Sequence, residues 1–165
     1  RSLVPSRGLG DVYKRQIERD LEDVATATSG LVRPSLYYDI AWPPAITVGS
    51  GSYLDSLIEI AGGRNIFHDL ALPSPQVSLE AIVARSPEII LLPGGASGGS
   101  APPSERSGWD AISAVREGRT RTVDAALLHR LGPRIGEAAR SLARVLHPEI
   151  EFGDPVETGS TDAPP

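Results

Sequence analysis

The consecutive aliphatic residues Ile89-Ile90-Leu91-Leu92 constrain this chain more than any other feature. A strand with one wet face alternates apolar and polar residues. An unbroken apolar run bounded by Ser86-Pro87 and Pro93 instead suits a strand covered on both faces. Helices must then lie on either side of the sheet that contains it, and the flanking sequence supplies them.

Ile17, Leu21, Val24, Ala25 and Thr28 recur at helical spacing, so residues 17–29 read as the end of an amphipathic helix that Gly30 stops. Leu36-Tyr37-Tyr38-Asp39-Ile40 is β-rich, and Trp42-Pro43-Pro44 interrupts it because proline has no N–H for a ladder. Gly49-Ser50-Gly51-Ser52 introduces a helix with Leu54, Leu57, Ile58 and Ala61 on one face, ended by Gly62-Gly63. Ser78 is a good N-cap for a short helix with Leu79, Ile82 and Val83 facing inward. Residues 93–108 form a Gly/Ser/Pro-rich loop, long for a compact domain and expected to be mobile. A short helix is expected over 109–115 and a strand over 120–124. Pro133 then opens a helix carrying Ile135, Ala138, Ala139, Leu142 and Leu146 on one stripe. From Glu151 onward core formers are scarce, and a disordered tail is expected over 151–165. The order predicts an α/β, three-layer lobe with a mainly parallel sheet flanked by helices.

Charge and composition exclude several functions. The net charge of −5 over 165 residues, with scattered Lys and Arg, gives no basic face for nucleic acid. With no cysteine there is no disulfide framework, thiolate metal site or cysteine nucleophile. No apolar run approaches the roughly 20 residues that cross a bilayer, and no signal-peptide pattern opens the sequence.

Residues 1–16 are Gly-rich and basic and lack a clear helical or strand period. Asp11-Val12-Tyr13-Lys14-Arg15-Gln16 can be encoded by GAT-GTG-TAT-AAG-AGA-CAG, a string within the mosaic-end adapter of transposon-based sequencing libraries. The expectation is a non-native leader over 1–16, with the native frame entering near Ile17. A signal sequence would then be missing through truncation.

Three segments in register carry a more specific message: Gly62-Gly63-Arg64-Asn65-Ile66-Phe67-His68-Asp69, Pro75-Gln76-Val77-Ser78-Leu79-Glu80, and Ala84-Arg85-Ser86-Pro87-Glu88-Ile89-Ile90. Their order and spacing resemble the C-terminal lobe of the periplasmic vitamin B12-binding proteins and their siderophore- and haem-binding relatives, the class III substrate-binding proteins of ABC transporters. Gly132-Pro133-Arg134 fits the same pattern, and the resemblance runs from about residue 17 to 149. It implies two lobes joined by one long helix, with ligand held between them. Residues 17–30 would end that interlobe helix and 31–150 would form the C-terminal lobe, with the N-terminal lobe missing. The implied partners are an ABC permease in the membrane and a small-molecule metal chelate, cobalamin first, in a periplasmic or extracytoplasmic setting. No cofactor and no catalysis are implied.

The resemblance also nominates residues. Glu80 would sit in the first helical turn, where the dipole alone favours a carboxylate by about 0.3–1 kcal/mol. The family's matching Glu instead faces the permease, which makes Glu80 the docking candidate. Arg130 matches an arginine that reaches the ligand. Ala45 or Ile46 occupies the place of an apolar or aromatic cleft residue, and Trp42 and Tyr38 offer flat surface nearby, although Tyr38 reads better as core. Two contacts depart from the family: Ser74 replaces an aromatic residue between two prolines, and Ala126 replaces an acidic residue. A haem or ferric-siderophore receptor of the same fold is the alternative reading.

From another class, Gly49-Ser50-Gly51-Ser52 suggests phosphate binding by a small nucleotide-using α/β enzyme. It lacks the P-loop lysine and the third glycine of a dinucleotide fingerprint. His68, His129 and His147 lack the i,i+4 spacing of a helical metal pair and read as structural or surface residues.

Overall fold

The computed structural model describes residues 5–94 and 100–152. Helix α1 (Pro5–Thr28) leads into β1 (Ser35–Tyr38), α2 (Tyr53–Ile60), β2 (Arg64–Asn65), α3 (Leu79–Arg85) and β3 (Ile89–Gly94). Two 3-10 turns, Pro103–Glu105 and Trp109–Ala111, precede α4 (Ser113–Arg116), β4 (Thr120–Asp124), α5 (Ala125–Leu128) and α6 (Ile135–Leu146). The strands form one parallel sheet in the order β2-β1-β3-β4.

The sheet divides two cores by the period of two in its strands. Leu36 and Tyr38 of β1 and Ile89 and Leu91 of β3 turn toward α1, α2, α5 and α6, where Val24, Leu57, Ile58, Leu128 and Leu142 pack. Tyr37 and Ile90 turn the other way, against Phe67, Ile82, Trp109 and Ile112. This is the three-layer arrangement that the apolar run of β3 demands.

Local chemistry sets the element ends. Ser52 caps α2 by accepting from the Leu54 N–H at 3.2 Å, and Ser78 caps α3 through the Ala81 N–H at 3.1 Å. Gly30 and Gly62 take φ of 81° and 84° at helix ends. A Cβ at Gly62 would lie 2.6 Å from His147 Nε2 and 2.8 Å from Thr28 Cβ, so glycine serves both the turn and the packing there. On α6, the small Ala138, Ala139 and Ala143 are buried and Gly136 lies against Asp20, which brings α1 close. Arg140 then bonds Asp20 at 2.8 Å.

Several expectations change. Residues 5–16, which lack a clear helical or strand period in the sequence, are helical, and α1 runs unbroken from Pro5 to Thr28. Once packed turns exist, each added residue gains one backbone bond, and proline is tolerated in the first turn. Packing nevertheless begins only at Ile17, since residues 10–16 are exposed; Ala25, expected on the inner stripe, is also exposed. Strand β3 extends through Pro93 to Gly94. The Ile90 N–H points to β4, bonding Arg119 O, so Pro93 points to the β1 side, beyond the end of β1, and its missing N–H breaks no ladder.

Residues 100–108 are tied down by the Pro103–Glu105 turn and by Arg106 rather than free. Residues 109–115 split into a 3-10 turn and α4, and Pro133 lies two residues before α6 in the preceding turn. Phe152, expected in a disordered tail, is half-buried with Arg144 stacked 5.4 Å from its ring centre. The two-residue β2 and the single turn α5 are too short for periodicity to register. The remainder of the expected tail and leader, 153–165 and 1–4, lies outside the described residues, as do 95–99 of the long loop.

Candidate functional site at the carboxyl edge of the sheet

In an open parallel sheet the loops leaving the strand carboxyl ends gather on one edge, and ligands bind where the chain's winding reverses. Here β1 connects outward to β2 on one side and has β3 on the other, so the reversal falls between β1 and β3. A cavity of roughly 290 Å³ opens there, lined by Asp39 and Ile40 beyond β1, Pro93 at the end of β3, Thr122 of β4, and Ser100 and Arg106.

Its base is an ion pair. Arg106 Nη1 and Nη2 donate to the two Asp39 carboxylate oxygens at 3.0 and 2.7 Å, and Nε donates to Ala101 O at 2.7 Å. Both side chains are almost fully buried, at 2% and 4% exposure. The guanidinium lies 4.4 Å from the Trp109 ring centre and 5.9 Å from that of Trp42. Ser100 Oγ donates to Trp42 O at 3.0 Å and accepts from Trp42 N at 3.3 Å, fastening the far wall. Tyr37 Oη and Trp109 Nε1 are buried beside this cluster without a hydrogen-bond partner among the described residues. Burial and the nearby Asp39 carboxylate push the Tyr37 phenol well up, so it stays neutral.

The nominated residues fall around the same edge. Trp42 is half-buried and packs edge-to-face on Trp109 with ring centres 5.1 Å apart. Ile46 bridges Ala41 on one side and Gln76 on the other, which brings the loop holding exposed Ser74 beside the loop after β1. Arg130 is exposed and lines a small recess with Asp124, Leu127 and Arg134. Its neighbour His129 meets Tyr38 Oη at 2.9 Å, and Tyr53 Oη donates to Leu128 O at 2.6 Å, fixing that loop to β1 and α2. Ala45 departs from expectation: it is 2% exposed within the second core, so it shapes the rim from beneath. Tyr38 is core, as its place on β1 suggested, and burial raises its phenol pKa.

Glu80 stands exposed in the first turn of α3, with no hydrogen bond or ion pair among the described residues. The capping role belongs to Ser78, which leaves the carboxylate free to point outward. A shallow apolar recess formed by Leu79, Val83, Gly108 and Ala111 adjoins it.

The glycine turn before α2 is committed to the fold. Gly49 N–H donates to Pro73 O at 3.2 Å and Ser50 N–H to Leu70 O at 2.8 Å, while the Ser52 hydroxyl caps α2. Gly49 is buried under the carbonyls of the 70–75 loop, where a Cβ would collide. These donors serve that loop, and a phosphate would have to displace it.

The histidines are structural contacts. His68 Nδ1 meets Asp55 Oδ2 at 2.7 Å, and Asp55 also accepts from Asn65 Nδ2 at 2.8 Å. That hydrogen bond, with the Asp55 charge, raises the His68 pKa. His147 is buried with Nε2 3.0 Å from Gly62 O.

The Asp39–Arg106 pair is the component that sequence reasoning missed. Its partners stand 67 positions apart, so no spacing links them. The available signals were a carboxylate ending a β-rich segment and a lone arginine in a Gly/Ser/Pro-rich loop.

A three-layer parallel lobe with its cavity and aromatic surface on the carboxyl edge has the fold of one lobe of the periplasmic binding proteins. More narrowly, this chain is a homologue of the vitamin B12-binding proteins and substrate-binding lipoproteins of ABC transporters. It is 27% identical over 132 residues to an uncharacterised ABC transporter substrate-binding lipoprotein of Bacillus subtilis, covering 79% of this chain and 41% of the relative. The vitamin B12-binding protein of Vibrio cholerae is 26% identical over 139 residues, 84% of this chain and 49% of that protein. The crystal structure of the Vibrio cholerae periplasmic vitamin B12-binding protein matches with a TM-score of 0.65 at 27% identity over 78% of this chain and 50% of the other. A periplasmic haem-binding protein in complex with two haems matches with a TM-score of 0.68 at 25% identity over 85% and 57%. The chain thus spans about half the length of the relatives it matches. No protein-family model matches it.

Proposed function

We propose that this chain is the C-terminal ligand-binding lobe of a two-lobed ABC-importer substrate-binding protein that captures cobalamin or a related metal chelate outside the membrane. One observation carries the reading above the others. The cavity, the Trp42 surface and the Arg130 loop share the carboxyl edge of a parallel sheet in a chain whose relatives include vitamin B12-binding proteins. Trp42 supplies a flat apolar face, Ile46 extends it, and Arg130 and Ser74 supply polar contacts at the margin. Glu80, exposed and without an ion pair among the described residues, is the residue through which this lobe meets the permease, contributing mainly orientation and encounter rate. Capture needs no chemistry on the ligand, in keeping with relatives that are binding proteins.

The test is a spectral titration of the complete two-lobed protein with cobalamin, haem and ferric siderophores. A tight, stoichiometric cobalamin shift that weakens in Arg130→Ala and Trp42→Ala supports the reading. A haem shift alone moves the ligand to the alternative that the haem-binding neighbour supports. Folded protein that binds none of the three overturns the proposal.

A further inference from the structure

The capture reading uses the cavity between β1 and β3 to locate the binding edge but assigns no part of the ligand to it. At roughly 290 Å³ it lies at the lower limit of the roughly 300–1,000 Å³ that enclose a whole ligand. It therefore suits one arm of a larger molecule resting on Trp42.

The chemistry of its base selects the arm. Arg106 has five N–H donors; Nε–H goes to Ala101 O, and Nη1 and Nη2 each give one to Asp39. Among the described residues, one N–H on each terminal nitrogen has no partner, and each Asp39 oxygen keeps acceptor capacity beyond its single Arg106 bond. Both residues line the cavity and both are almost fully buried. The base thus offers donors and acceptors side by side at zero net charge. The Ser100 and Thr122 hydroxyls on the walls add more of both. A carboxylate arriving here gains Arg106 and is repelled by Asp39 within the same bidentate pair, while giving up its hydration. A carboxamide, neutral and both donor and acceptor, matches the base without that conflict.

We infer that the Asp39–Arg106 cavity is a subsite for a neutral carboxamide arm of the ligand, which favours an amide-bearing chelate over a carboxylate-bearing one. This rests on the proposed capture function and narrows its substrate class. Cobalamin carries peripheral amides, whereas haem carries propionates.

The experiment uses the complete two-lobed protein and leaves the ion pair intact. Thr122 is exposed on β4 and lines the cavity, so Thr122→Leu fills the space without touching either charge. Cobalamin and its isomeric monocarboxylic acids, each with one amide hydrolysed, are titrated against wild type and T122L, with thermal melts as the folding control. The expected result is about tenfold weaker cobalamin binding by T122L at unchanged melting temperature, and about tenfold weaker binding of one particular acid isomer by wild type. T122L should discriminate less against that isomer. Equal binding of all isomers and no effect of T122L overturn the subsite while cobalamin capture stands. Tight haem binding without cobalamin binding also overturns it, and binding of no chelate removes the capture reading itself.

Discussion

Replacing Arg106 by leucine isolates what the buried ion pair contributes. The Asp39 carboxylate is 4% exposed, and its hydrogen-bond partners among the described residues are the two Arg106 nitrogens at 3.0 and 2.7 Å. Arg106→Leu thus strands a buried charge, which costs about 3–5 kcal/mol. Against the roughly 5–15 kcal/mol stability of a typical domain this is a large fraction. For a chain of this size the melting temperature should fall by roughly 10 °C. Asp39→Leu should cost less, because Arg106 retains Ala101 O and its stack on Trp109 at 4.4 Å. The double variant, with two apolar residues in contact, should recover most of the loss. Urea denaturation followed by tryptophan fluorescence measures all three, since Arg106 lies against Trp109 and near Trp42. If R106L unfolds within about 0.5 kcal/mol of wild type, or the double variant is no more stable than R106L, the ion pair does not organise this edge.

Other consequences are independent of that pair. Ser78→Ala removes the α3 cap and should cost about 1 kcal/mol in denaturation, with Ser78→Gly losing only a few tenths. Gly62→Ala places a Cβ against His147 and Thr28 at φ 84°, and should destabilise by more than about 1 kcal/mol in the same assay. His68 has its pKa raised by Asp55, so its contribution is fully present below the unfolded pKa and is lost as pH rises through the higher folded value. A stability–pH profile should accordingly lose that step, with its fall toward alkaline pH, in His68→Gln. Glu80→Gln in the complete protein should leave ligand titrations and melting unchanged, yet slow association with permease vesicles most at low salt.

The two kinds of information in this sequence reached different depths. Elements with their own period or cap were legible: the β3 run, the α6 stripe, and Ser52 and Ser78 before their helices. Each is decided by residues within a few positions of one another. β2 was not legible, because its two residues join the sheet through β1, with Ser35 opposite Arg64. Helix α1 beyond residue 17 was hidden for a related reason. Its exposed turns carry no apolar stripe and are held only by continuity with turns that pack on α6. The candidate site divides the same way. Trp42, Ile46, Arg130 and Glu80 could be nominated one by one, but the cavity exists only because β1 and β3 are neighbours although β2 intervenes in sequence.

That adjacency also bears on the proposed binding role of this lobe. Its carboxyl edge is fastened at several points: Asp39 to Arg106, Ser100 to Trp42, Tyr38 to His129, Tyr53 to Leu128, and Ile46 to both Ala41 and Gln76. A surface so tied loses little conformational freedom when a ligand arrives, so less of the contact energy is consumed in ordering loops. Helix α1 is fastened too, through Asp20 to Arg140 and the close approach at Gly136, but only over its packed second half. Amide hydrogen exchange on the complete protein should show little change on ligand addition at Asp39, Arg106 and His129. Strong ligand-induced protection spread across those loops would mean that the edge is ordered by the ligand instead of prepared for it.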